Sequence, residues 1–444
     1  MSGSSIRNLS SIDAGLSQAV AAFSAANPKS HAQYQKATAS MPGGNTRSSL
    51  FYDPFPLTMT HGEGANLWDL DGHRYIDFLS EFTAGVYGHS HPKIIATLQG
   101  ALKNGLSLSA HTRGEADLAV ALCKRFPTFE TLRFTNSGTE ANIMALAAAR
   151  AFTGREKIAF FKGCYHGGPL AFVGKPSRGN IPYDIVMAPY NDLERALDAL
   201  NPNAANTAAV IVEPMLGAAG CIPGDPEFLR GLRQWCDRNG VLLIFDEVMT
   251  SRLHPHGLQA ALGIQPDLTT MGKYLGGGMP IGVFGGRAEI MAQFDPRGAT
   301  TVGHAGTFNN NTMTMAAGLV GVTEIFTEVE SQRLSERGDA FRDRLNTICR
   351  AANAPLHFSG YGSVMNLHAQ PALVTRPEQL AQDVPGLKDL IFFDLLDAGV
   401  FLAKRGLVAL NLCLTDADLD QFAEAFQTIL ERREPYFAGL TNGA

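Results

Sequence analysis

The spacing of apolar and polar positions divides the chain into a mixed N-terminal segment, a long alternating middle and a differently ordered end. Residues 1–10 are small and polar and are expected to fray. Ile12–Phe23 carries apolar residues at helical spacing, and Asn27-Pro28 stops the run. A second short helix is expected over Ser30–Ser40, broken at Met41-Pro42-Gly43-Gly44. Leu57–Thr60 and Asn66–Asp69 then alternate as hairpin strands, followed by the turn Asp71-Gly72 and the strand Tyr75–Phe78.

Beyond the glycine- and histidine-rich loop Gly85–His91, helix-like and strand-like runs take turns. Pro92–Lys103, Arg113–Phe126, Glu140–Phe152 and Asp192–Leu200 read as helices. Leu132–Thr135, Lys157–Phe161, Ile185–Ala188, Ala208–Val212, Val241–Asp246 and Asp267–Met271 read as strands. The run VLLIFDE is apolar throughout until its two acids, the mark of a strand buried on both faces. Such alternation predicts an α/β fold, a mostly parallel sheet with helices on both sides.

After about residue 335 the order changes. Helices are expected over Ser335–Ala352, Leu387–Ala398 and Asp416–Arg433, with strands at Leu356–Ser359, Val364–His368 and Leu407–Leu412. The expected division is a large domain at 80–320 and a smaller α+β domain at 321–444, joined by the N-terminal segment 1–79.

Composition narrows the classes. An apolar share of 45% and a charged share of 18% are those of a globular protein, and a net charge of −6 argues against nucleic acid as a partner. No apolar run reaches the length of a membrane span, and the N-terminus lacks the order of a secretory signal. Cys123, Cys164, Cys221, Cys236, Cys349 and Cys413 are scattered without a CxxC pair. They read as reduced thiols of a cytoplasmic protein, with no metal site. Neither GxxxxGK[ST] nor a GxGxxG after a strand is present, which counts against nucleotide hydrolysis and dinucleotide binding.

Two strand ends carry the candidate chemistry. Asp246 closes one strand, and Lys273 follows another just before Gly276-Gly277-Gly278. Ligands of open α/β sheets bind beyond the carboxyl ends of strands. Lys273 forming a Schiff base with pyridoxal phosphate, and Asp246 pairing with the ring nitrogen, accounts for both residue types. A surface lysine in a turn and a helix-capping acid account for them as well. The turn Thr135-Asn136-Ser137-Gly138-Thr139-Glu140-Ala141 is either a phosphate site at a helix N-terminus or an ordinary capping box. Tyr165, in Gly163-Cys164-Tyr165-His166-Gly167, is a ring-stacking candidate or a rim aromatic, and His166 reads as a structural histidine. Glu213 ends the strand AAVIVE, placed to hold a neighbour by hydrogen bonding. Thr307 lies in a small polar loop from which a phosphate is in reach, or it belongs to a capped helix start.

Together, MPGGN, FTNSGTEA, GCYHG, VEPM, FDEVMT, MGKYLGGGMPIG and AGTF, in this order, resemble the class III pyridoxal-phosphate aminotransferases, within the glutamate-1-semialdehyde aminomutase-like branch. Stretches like NTRSSLFYDPFPLT, EFTAGVYGHS, EVMTSRL-PHG and GTFNNN-MTMAAG, with Arg405-Gly406 near the C-terminus, are closest to β-amino-acid aminotransferases acting on β-phenylalanine. The resemblance covers roughly residues 37–430. It implies the type I aminotransferase fold, with a seven-stranded sheet and a smaller domain. It also implies a homodimer with shared active sites. Lys273 would carry the cofactor and shuttle the proton, Asp246 pair with the ring nitrogen and Tyr165 stack on the ring. Ser137, Gly138 and Thr139 would hold the phosphate, with Thr307 arriving from a second subunit. The implied reaction moves the amino group of a β-amino acid to 2-oxoglutarate or pyruvate. Glutamate-1-semialdehyde aminomutase activity is the alternative, and a non-catalytic pyridoxal-phosphate-binding protein a distant one.

Two departures stand out. Ornithine- and GABA-type relatives carry a glutamate that gates a mobile arginine, and the aminomutases an Asn; here the position is Ala218. Arg47 comes earlier than the aminomutase carboxylate-binding arginine and runs into a different loop. The expectation is that Arg47 holds the carboxylate of the 3-amino acid and Arg405 swings in for the oxo acid. With Ala218 in place of the glutamate, Arg405 is expected to lack a fixed partner there.

Overall fold

The computed structural model describes residues 3–173, 177–298, 301–437 and 440. Helices Gly3–Ala26 and Pro28–Thr38 come first. The first begins earlier than its apolar spacing marks, and residues 1–2 of the stretch expected to fray lie outside the described residues. Three antiparallel strands follow, β1 (Met59–Glu63), β2 (Asn66–Asp69) and β3 (Arg74–Asp77).

The large sheet takes β4 (Thr131–Thr135), β5 (Lys157–Phe161), β6 (Ile185–Ala188) and β7 (Thr207–Val212). After a two-stranded ribbon of β8 (Met215–Leu216) and β9 (Ile222–Pro223), it adds β10 (Leu242–Asp246), β11 (Leu268–Gly272) and β12 (Gly282–Gly286). The order across its seven strands is β4-β12-β11-β10-β7-β5-β6. Every neighbouring pair is parallel except the two made by β12. Every residue of β7 and β10 is buried, as their unbroken apolar runs require. The carboxyl ends of β4, β5, β7, β10 and β11 therefore share one edge of the sheet.

β12 was not expected, because Gly-Val-Phe-Gly-Gly reads as loop. Its glycines answer to its neighbours. A Cβ at Gly282 would stand 2.0 Å from the Ser137 carbonyl oxygen and 2.2 Å from Thr135 Oγ1. β12 thus lets the turn after β4 lie directly over the sheet.

The C-terminal part forms an antiparallel sheet of β13 (His357–Tyr361), β14 (Val364–His368) and, beyond β15 (Val400–Phe401), β16 (Leu407–Ala409). β15 pairs in parallel with β3. Helix Gly3–Ala26 packs on helix Leu387–Asp397, where the rings of Phe23 and Phe393 lie 5.3 Å apart. One hydrophobic core joins the two ends of the chain through Ile12, Phe78, Leu390 and Phe426; another lies against the large sheet around Phe160, Ile211 and Ile244. No helix among the described residues is long and apolar enough to cross a membrane.

Candidate active site

The shared edge of the large sheet gathers the chemistry. Asp246 ends β10 opposite Thr270 of β11, and it is only 4% exposed. Its Oδ2 accepts from Asn142 Nδ2 at 2.7 Å and from His166 Nδ1 at 2.7 Å, and its Oδ1 accepts from the Val248 amide at 2.9 Å. Asn142 is fixed in turn, since its Oδ1 accepts from Thr270 Oγ1 at 2.6 Å. Donors from three elements thus fix the direction of this carboxylate, as a group facing a ligand needs. Burial alone would hold the His166 imidazole down; Cys164 and Asp246 outweigh it and raise it well above its ordinary range.

Lys273 follows β11 in a left-handed conformation, φ 55°. A non-glycine residue there is unfavourable by about 1–2 kcal/mol. Such strain persists where the surroundings enforce it, often at functional sites. The Lys273 amine makes no hydrogen bond or salt bridge among the described residues. Burial pushes it below the usual lysine range, against the pull of Asp246 and Glu213 and with help from the charges of Arg405 and Arg47. A half-buried, unpartnered amine of lowered pKa is suited to attack a carbonyl carbon.

The turn after β4 has the hydrogen bonds of a helix cap. Ser137 caps helix Gly138–Thr153, its Oγ accepting from the Glu140 amide at 3.2 Å. The Glu140 carboxylate accepts from the Asn136 amide at 2.9 Å. The amides of Gly138 and Thr139 have no acceptor among the described residues, and they lie at the positive end of the helix. Gly167, at φ 113°, packs against Thr139, where a Cβ would fall 2.2 Å from the threonine hydroxyl.

Tyr165 is 46% exposed, and its backbone amide donates to Glu213 Oε1 at 2.8 Å. Glu213 Oε2 accepts from the Gly217 amide at 2.9 Å. Burial raises the Glu213 carboxyl to about 7, with His166 opposing and Asp246 adding. Glu213 therefore ties the Tyr165 loop to the ribbon loop that carries Ala218.

Arg47 and Arg405 arrive from outside the large sheet and flank one ring, their guanidinium carbons 5.3 and 5.6 Å from the centre of Phe82. Arg47 pairs with Glu81. Arg405 does have a partner near Ala218, contrary to the expectation: it donates to the Ala218 carbonyl at 2.9 Å. The acceptor is main chain, which a comparison of side chains does not reveal. Burial pushes the Arg405 guanidinium down, while Cys221, Glu213 and Tyr165 pull it up.

Thr307 is exposed and makes no hydrogen bond to Ser137, Gly138 or Thr139; it lines a cleft of about 610 Å³ with Leu106, Leu108 and Phe308. Its neighbour Asn309 accepts from Asn136 Nδ2 at 2.9 Å. Sequence reasoning missed Asn142, Thr270, Glu81 and Phe82. A lone Asn in the alanine-rich helix ANIMALAAAR was the available signal for Asn142. No group of three His, Cys, Asp or Glu residues among the described residues is placed to hold a metal ion.

These residues fit a pyridoxal phosphate: a free amine, a clamped carboxylate, unpaired amides and an open aromatic face surround one sheet edge. The family profile of class III aminotransferases covers residues 48–430. A β-phenylalanine transaminase of Variovorax paradoxus is 52% identical, over 94% of this chain and 96% of that protein. The crystal structure of a β-phenylalanine aminotransferase from the same organism superposes with a TM-score of 0.93 at 51% identity, covering 95% of this chain and 98% of that one. A glutamate-1-semialdehyde aminomutase from Pseudomonas aeruginosa, 22% identical, superposes with a TM-score of 0.87 over 96% of this chain and 99% of its own, which speaks to the fold alone. With the family profile spanning residues 48–430 and a relative 52% identical over 94% of this chain, the chain belongs to the class III aminotransferases.

Proposed function

We propose that this chain is a pyridoxal-phosphate-dependent transaminase that moves the amino group of a β-amino acid, 3-amino-3-phenylpropanoate being the reference donor, to 2-oxoglutarate or pyruvate. The donor class is carried over from the Variovorax relative. One observation of this chain carries the reading. Two arginines from outside the large sheet lie against the ring of Phe82, and together with burial they hold the Lys273 amine below the usual lysine range. A 3-amino acid and a 2-oxo diacid place their carboxylates at different distances from the reacting carbon, and arginine–carboxylate pairing is geometrically strict. Arg47 serves the donor and Arg405 the acceptor.

When bound, pyridoxal phosphate supplies an aldehyde carbon and a ring that takes up the electron pair left by a departing proton. Lys273 would hold it and carry that proton on Nζ. The clamped Asp246 carboxylate would face the ring nitrogen, and Tyr165 the ring. Ser137 and the amides of Gly138 and Thr139 would hold the phosphate, and Glu213 keeps the Tyr165 loop in place.

The chain acts as a homodimer in this reading, a second copy covering the exposed Leu106, Leu108 and Phe308 and bringing Thr307 to the phosphate site opposite. Six free cysteines accord with a reducing, cytoplasmic setting.

Borohydride reduction and peptide mapping should find the cofactor on Lys273, and a label elsewhere refutes that assignment. Turnover of 3-amino-3-phenylpropanoate should require an added 2-oxo acid. Conversion of glutamate 1-semialdehyde with no acceptor would instead mark an aminomutase, and no turnover of any amine a non-catalytic protein. A monomeric holoenzyme at micromolar concentration would overturn the shared site.

A further inference from the structure

The acid–arginine pair missing at Ala218 is found elsewhere in this chain. Arg47 is paired with Glu81, and the two side chains are 43% and 58% exposed. Glu81 is the second of four successive residues in the left-handed region: Ser80, Glu81, Phe82 and Thr83 have φ of 47°, 48°, 52° and 79°. L-residues visit this region one at a time, so a run of four has to be imposed by its surroundings.

The imposing contacts are present. Asp77 Oδ1 accepts from the amides of Leu79 at 2.8 Å and Ser80 at 2.9 Å. Ser80 Oγ donates to the Ala409 carbonyl at 2.8 Å and accepts from Asn411 Nδ2 at 3.0 Å. Arg252, fully buried, donates to the Thr83 carbonyl at 2.8 Å and also to the Leu410 carbonyl. The turn is therefore pinned at Ser80 to the end of β16 and the residues after it, and at Thr83 to the loop after β10. Its two middle side chains are the ones that meet the arginines: Phe82 lies against both guanidinium groups, and Glu81 pairs with Arg47.

We propose that Glu81 is a specificity-determining residue, whose carboxylate occupies Arg47 as a stand-in for the donor's carboxylate and is displaced by it. The proposal rests on the reading that Arg47 meets the donor. The pinned backbone keeps Glu81 in place, so Arg47 is never unpaired before substrate arrives. A donor with a carboxylate at the right distance replaces one acceptor by another. A plain amine has nothing to offer Arg47 and leaves the Glu81 pair standing. The competition costs affinity for the right donor, on the scale of a half-exposed ion pair. It leaves the acceptor untouched, because Arg405 is held by the Ala218 carbonyl and not by an acid.

The test is calorimetric titration of the holoenzyme with 3-phenylpropanoate, which has the donor's skeleton and carboxylate but no amine to react. Glu81→Gln and Glu81→Ala should bind it about two- to five-fold more tightly than the parent, the worth of the pair they remove. Their 2-oxoglutarate half-reaction should stay within about two-fold. Both replacements keep a Cβ, so neither adds backbone strain, and the exposed position leaves no buried group behind. Arg47→Ala should bind 3-phenylpropanoate more weakly than the parent. Equal or weaker binding by the two Glu81 variants, with Arg47→Ala weakened as expected, overturns the role of Glu81 alone. Unchanged binding by Arg47→Ala overturns the donor assignment and this proposal with it.

Discussion

Replacing Arg405 by alanine separates the two halves of the proposed reaction. In the structure its guanidinium uses one hydrogen bond, to the Ala218 carbonyl at 2.9 Å, and its Nε is buried without an acceptor. It thus retains donors for a planar, two-oxygen acceptor. A hydrogen bond to a charged partner contributes about 1.5–3 kcal/mol. At about 1.4 kcal/mol per factor of ten, its loss should weaken the 2-oxo acid half-reaction about ten- to hundred-fold. The donor half-reaction should change by less than about three-fold, because Arg47, paired with Glu81, is left in place. Arg47→Ala should show the reverse pattern. Arg405→Lys keeps the charge and loses the fork, so it should recover only part of the loss. The assay is single-turnover spectroscopy of each half-reaction at varied substrate, which yields kcat/KM for donor and acceptor separately. Equal losses in both halves from either mutant, or no loss from both, would refute the division of labour.

Three further outcomes are expected. Asn142→Ala leaves Asp246 Oδ2 with one donor fewer and Thr270 Oγ1 without its acceptor, and should cost about 1–3 kcal/mol in a denaturant midpoint; Thr270→Val, which removes only the outer hydroxyl, should cost less. Gly282→Ala drives a Cβ to 2.0 Å from the Ser137 carbonyl oxygen and should destabilise by at least the roughly 1–3 kcal/mol of ordinary overpacking, read as a lower Tm together with weaker cofactor retention. Burial first of all, and then Asp246, lifts the Glu213 carboxyl from 4.5 to about 7, against the pull of His166 and the Gly217 and Tyr165 amides. A carboxyl raised in the folded state stabilises fully below its unfolded value and loses that contribution as pH rises through about 7. Glu213→Gln should therefore flatten the fall of Tm across that window, and an unchanged slope would show that another group sets it.

The local pattern of the chain carried the framework. Unbroken apolar runs such as VLLIF and AAVIV marked strands buried on both faces, and their alternation with amphipathic helices left a mostly parallel sheet as the consistent architecture. Acid and lysine at strand ends, and a small-residue turn before a helix, were visible as candidate chemistry because such positions depend on a few neighbouring residues. The ordered motifs then singled out one family from the several folds that share that framework.

Tertiary contact decided the rest. β12 is a strand because the turn after β4 and the strands beside it leave room only for glycine, and Gly-Val-Phe-Gly-Gly by itself has the propensity of a loop. The Asp246 clamp draws Asn142, His166 and Thr270 from three separate elements, so no spacing along the chain encodes it. The partner of Arg405 is a main-chain carbonyl, which every residue possesses and no residue type advertises. The left-handed run at Ser80–Thr83 contains no glycine to announce it; Asp77, Asn411 and Arg252 impose it from up to 331 positions away in the sequence. Local preference reports what a segment does alone, and these four features exist only because distant groups outbid it.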